Sequence, residues 1–129
     1  MLAIDTSVVV RYLARDDPKQ SRKARELIDR RPVFVATTVL LETEWVLRGV
    51  YKLGPQDAAR ALTAFAGLPN VNLEDAGLAA KALDWALQGM DFADALHLAR
   101  AAACAAFLTF DRRFVAAAGK LADIEVRMP

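Results

Sequence analysis

The chain has 129 residues, 55% of them hydrophobic, enough apolar material for one sizeable core without disulfides or a structural metal. Charged residues make up 26% and the formal net charge is +1, which excludes a disordered, membrane-spanning or polybasic chain and says nothing about partners. Cys104 is the single cysteine, so no internal disulfide can form; inside an alanine-rich helical run it reads as a small buried filler and fits a reducing cytoplasm.

The apolar run Met1 to Ile4 meets an acid at Asp5 with no basic, signal-like segment before it, so the chain is expected to begin directly with a strand. A helix follows in Val8, Val9, Tyr12 and Leu13, with Thr6 or Ser7 as its cap. Asp17-Pro18 opens a charged helix over Lys19 to Arg31 that reads as a solvated element. Pro32 to Ala36 is a strand, and Thr37 or Thr38 can cap the next helix, which reaches about Tyr51. Gly54-Pro55 separates that helix from another. A weaker strand at Val71 to Leu73 precedes a helix over about Asp75 to Leu87, closed by Gly89. Asp91 opens an alanine-rich helix. Ala106 to Thr109 and Ile124 to Val126 are the last strands. This alternation, with strands apolar at consecutive positions, predicts an α/β fold. It would be a single domain over residues 1–129, with a mostly parallel central sheet of about four or five strands flanked by helices on both faces.

In such a sheet ligands bind outside the carboxyl ends of the strands, and Asp5 and Asp111 each follow an apolar strand. Either could instead be a helix cap or turn residue. On the third helix Glu42 and Glu44 point roughly 200° apart at ~100° per residue, so one at most can face a site. Taking the apolar face as centred near Val39, Val46 and Val50, Glu42 flanks it without a basic neighbour, whereas Glu44 has Arg48 four residues on and reads as half of a solvated ion pair. Glu42 is therefore the candidate ligand. Asp91 and Asp94 share a helical face; Asp91, at the helix start, has a capping role open to it, and Asp94 is the better ligand. His97 has no second histidine to complete a zinc site, and an all-oxygen set of acids suits Mg²⁺ or Mn²⁺. Clustered carboxylates repel unless a divalent cation sits among them, so the cluster itself predicts a metal.

Asp5-Thr6-Ser7 after the first strand, Glu42 in Val39 to Glu42, Asp94 in Asp91 to Leu96, and Asp111 in Thr109 to Asp111 together resemble the PIN domain. Trp45-Val46-Leu47-Arg48 extends the likeness to VapC-type toxins of toxin-antitoxin pairs, along essentially the whole chain. The resemblance implies a Mg²⁺- or Mn²⁺-dependent endoribonuclease, a homodimer, held inactive by a cognate antitoxin over the active site. Asp5, Glu42 and Asp94 would form the metal shell, with Asp111 ligating directly or through water and Thr109 positioning a ligand. Ser7 stands where the family often has Asn and would bond a neighbouring carboxylate with shorter reach. Asp91 would be auxiliary. Among the arginines that could rim the site for RNA or antitoxin, namely Arg11, Arg15, Arg112 and Arg113, Arg11 ranks first. Rival readings are a catalytically silent PIN-fold binding module, a stand-alone RNA-processing nuclease, a haloacid-dehalogenase-like phosphatase, which would want a second Asp where Ser7 stands, and a phospho-receiver domain.

Overall fold

The computed structural model describes residues 1–129. In chain order the elements are β1 (Leu2–Ala3), α1 (Thr6–Leu13), α2 (Pro18–Arg30), β2 (Val33–Val35), α3 (Thr37–Gly49), α4 (Pro55–Ala66), β3 (Val71–Leu73), α5 (Ala76–Leu87), α6 (Phe92–Arg100), β4 (Ala106–Leu108), α7 (Arg112–Leu121) and β5 (Glu125–Arg127). All strand pairings are parallel, the helices between the strands serving as the crossovers that parallel pairing needs. The five strands do not form one sheet: β1, β2 and β3 pair in that order, and β4 pairs with β5 separately. The strands are two or three residues long and carry few ladder bonds each. Both sheets keep a short ladder going past their ends, through the Ile4 amide on the Phe34 carbonyl at 3.0 Å and the Thr109 amide on the Arg127 carbonyl at 3.1 Å. Those bonds fix the chain just before Asp5 and Asp111.

One hydrophobic core joins the helices to the first sheet. Val33 and Val35 of β2 are fully buried, and Phe65, Leu62, Leu40 and Leu98 pack around them from α4, α3 and α6. Each such side chain contributes roughly 1.5–3 kcal/mol of burial. Ala58 and Ala59 of α4 and Ala79 and Ala82 of α5, all without exposed surface, let these two helices approach closely.

Helix boundaries correct several expectations. Asp5, not Thr6 or Ser7, occupies the cap position of α1. Ala36 precedes α3 in place of a threonine cap, and Glu74, beyond β3, instead accepts the Thr37 amide at 2.9 Å; α3 ends at Gly49, short of Tyr51. Asp17, Asp75 and Asp91 cap α2, α5 and α6 through their side chains, and Gly89 takes a positive φ of 111° after α5, which a side chain would resist. Cys104 is exposed and lies beyond the end of α6, so it is not a core filler. The alanines after Arg100 favour helix, yet the chain must turn there to enter β4, and that connection overrides propensity.

Candidate active site

The turn from β1 to α1 places Asp5 in extended backbone (φ −87°, ψ 165°) at the positive end of the helix, yet its carboxylate bonds no helix amide. A carboxylate in a capping position that does not cap keeps its lone pairs for another partner. Its one contact is Ser7, whose hydroxyl donates to Oδ2 at 3.3 Å. Thr6 is buried at 6% exposure and its hydroxyl donates to Oε1 of Glu42, which ties the exposed Glu42 on α3 to the turn that carries Asp5. Its position in the sequence suggests only a cap, because the link to Glu42 spans 36 residues and leaves no local signal.

The buried face of α3 is Leu40, Thr43, Glu44 and Leu47, not the stripe through Val39, Val46 and Val50. Glu44 is accordingly inside at 2% exposure, a correction to its reading as solvated, while the exposed acid is Glu42. The ion pair with Arg48 is present, Nε lying 2.9 Å from Oε2, though its N–H is not aligned on that oxygen. Burial raises the Glu44 pKa, opposed by Arg48 and assisted by Asp91. Arg48 also reaches Oδ1 of Asp91 at 3.3 Å, linking α3 to the start of α6.

Asp91 divides its two oxygens: Oδ1 faces Arg48, and Oδ2 accepts the Asp94 amide at 3.1 Å. Asp94, half-buried one turn later, has no hydrogen-bond partner for its own carboxylate. Its pKa is raised, first by burial, then by the charges of Asp91 and Asp111, with His97 opposing. Asp111 caps α7: Oδ1 accepts the Arg113 and Phe114 amides at 2.9 and 3.2 Å, and no bond falls on Oδ2. Thr109 accepts the Asp111 amide at 3.0 Å and shapes the loop.

The acids thus fall into two groups, Asp5 with Glu42 through Thr6, and Asp94 with Asp91 and Asp111 through their shared field. No group of three or more His, Cys, Asp or Glu side chains is arranged to hold a metal ion. The donor chemistry nonetheless fits a hard divalent cation: the set is all carboxylate, Asp5 bonds no helix amide, Oδ2 of Asp111 is unbonded, and the Asp94 carboxylate has no hydrogen-bond partner, with His97 alone opposing its raised pKa.

Arg11 does not face these acids. Its Nε donates to Gln20 at 2.7 Å and its Nη1 to Asp16 and to the Tyr51 hydroxyl at 3.3 and 3.2 Å. Tyr51 in turn donates to Asp16 at 2.8 Å, which holds the Asp16 carboxyl below and the Tyr51 hydroxyl above their ordinary ranges. Arg15 belongs to a surface cleft with Arg22 and Arg25. Arg112 and Arg113 remain exposed beside Asp111, without ion-pair partners.

The fold is thus of the parallel α/β class in which ligands bind beyond the strand ends, and Asp5 and Asp111 each stand there with a carboxylate oxygen that bonds no helix amide. The particular class is set by comparison: a model of the PIN domain matches residues 2–120, and the chain belongs to that family. All of the candidate acids lie within the matched span. PIN domains are generally nucleases, and those nucleases typically use divalent metals. No curated protein matches the chain. No helix is long and apolar enough to cross a membrane.

Proposed function

We propose that this chain is a Mg²⁺- or Mn²⁺-dependent endoribonuclease, the toxin of a VapBC-type pair, acting as a homodimer in the cytoplasm and neutralised by a cognate antitoxin. The observation that carries the nuclease reading is Asp94: a half-buried carboxylate with no hydrogen-bond partner, its pKa raised by burial and by neighbouring Asp91 and Asp111. A cation is the simplest counter-charge for such a group.

Asp5, Glu42 and Asp94 would hold the cation, with Asp111 offering Oδ2 directly or through water. Once bound, the cation supplies Lewis acidity and lowers the pKa of a water molecule for attack on a backbone phosphorus. Thr6 holds Glu42 against the turn that carries Asp5, and the Ser7 hydroxyl steadies the Asp5 carboxylate. Arg112 and Arg113 offer charge to the phosphates that flank the cut. Phe110, 82% exposed just before Asp111, presents a ring on which a base can stack.

The test is cleavage of RNA by protein freed of any antitoxin. Cutting is expected with Mg²⁺ or Mn²⁺ and not with EDTA, and Asp5→Asn and Asp94→Asn should each lower the rate by more than about 100-fold, beyond what loss of an outer contact costs. Absence of cutting, or variants as active as the parent, refutes the reading. The toxin assignment has its own check: a small DNA-binding protein encoded immediately upstream should co-purify with the chain and suppress cutting.

A further inference from the structure

A cavity of about 470 Å³ opens between the start of α3 and the outer face of α6. Its polar lining has two signs. Thr37 and Thr38 come from the first turn of α3, Glu74 from just beyond β3, and His97 and Arg100 from α6. Leu41, Leu96 and Phe107 form apolar walls between them. None of the candidate acids lines it, but one acid of each group sits a single helical turn from a lining residue: Glu42 is four residues from Thr38, and Asp94 three from His97. The charge of His97 acts on Asp94, so this proximity is electrostatic as well as sequential.

We infer that this cavity is a subsite for one nucleotide of an RNA strand, adjacent to the carboxylates and able to read its base. The choice of ligand rests on the ribonuclease reading. Three features match a nucleotide. Arg100 is exposed and has no ion-pair or hydrogen-bond partner in the fold, so its guanidinium is available to a phosphate. Glu74 spends Oε1 on the Thr37 amide and leaves Oε2 to accept from a base N–H, while the threonine hydroxyls both donate and accept. The apolar walls take the flat face of the base, and pockets of roughly 300–1,000 Å³ are the size that small ligands occupy. By the ~1.5 Å rise and ~100° turn per residue, Arg100 lies about 9 Å along α6 from Asp94 and roughly 120° around it, far enough to hold a phosphate other than the one being cut.

Mononucleotides test the subsite independently of cleavage. Isotope-labelled protein is titrated with the four ribonucleoside 5′-monophosphates, and amide shifts are followed by NMR. Shifts are expected to gather at residues 37–41 and 96–100, with unequal affinity among the four bases. Arg100→Ala should weaken binding about tenfold, as loss of a charge-assisted bond does. Arg60→Ala, which removes the same charge from α4 where Arg60 pairs with Asp57, should not. Glu74→Gln should change the order of base preference. The inference is overturned if shifts gather elsewhere, if none of the four binds, or if Arg100→Ala and Arg60→Ala behave alike. If mononucleotides bind here while RNA is not cut, the nuclease reading fails and the nucleotide subsite stands.

Discussion

Thr6 and Asp94 decide the character of the site between them. Thr6 is buried and uses its only hydroxyl proton on Glu42. Thr6→Val keeps the shape and removes that donor, so a stability loss of about 1–2 kcal/mol in urea unfolding is expected, together with weaker Mn²⁺ binding as Glu42 loses its anchor. Asp94 acts in the opposite sense on stability. Because its native pKa is raised, its contribution to the fold is fully present below the ordinary carboxylate range and is lost as pH rises through the native value. At neutral pH without metal, Asp94→Asn should therefore melt higher than the parent, and saturating Mn²⁺ should raise the melting temperature of the parent much more than that of the variant. A variant that melts lower, with an unchanged response to Mn²⁺, would remove Asp94 from the metal site. The capping role of Asp91 was legible because helix capping is local: three residues of spacing and a helix start were enough. Thr6 was not, because its partner is remote in sequence.

At the scale of elements, α3 shows where periodicity stops helping. Val39, Leu40, Leu41, Val46 and Leu47 distribute apolar side chains around much of the helix, so the pattern leaves its phase open, and the burial of Glu44 could not be read from an Arg48 that also suits a surface pair. Of the two acids Glu42 is the exposed one and bonds Thr6, while the buried face of α3 is centred on Leu40, Thr43 and Leu47 and not on Val39, Val46 and Val50. Arg48 bridges buried Glu44 and the α6 cap Asp91. Arg48→Met would leave Glu44 buried and uncompensated, at a cost of about 3 kcal/mol. Since the Glu44 pKa would rise further, that loss should be smallest in acid and grow as pH rises above the ordinary carboxylate range; a loss independent of pH would mean Glu44 is hydrated. Asp111 has two uses at once, capping α7 with Oδ1 and keeping Oδ2 unbonded, so the choice between cap and ligand that its position after β4 posed is not exclusive.

Across the whole molecule, the parallel α/β plan and its five strands were legible from the alternation of apolar runs and helices, and the separation into two sheets was not, since sheet membership depends on strand edges that no periodicity encodes. The separation has a measurable consequence. β2 is enclosed, whereas β4 and β5 form a two-stranded pair with exposed positions. In native-state hydrogen exchange the β2 and β3 amides should be the last to exchange and those of β4 and β5 should open at lower free energy; uniform protection would mean that the sheets act as one unit. A second sheet that opens readily would also let Asp111 adjust relative to Asp5, which two carboxylate groups must do if they are to share a cation.

Sharing of that cation is the central claim, and calorimetric titration with Mn²⁺ addresses it most directly. The parent chain is expected to bind saturably, and Asp5→Asn in the first acid group and Asp94→Asn in the second should each abolish or greatly weaken the binding, because both groups serve one centre. Absence of binding to the parent, or binding that survives both substitutions, would contradict it.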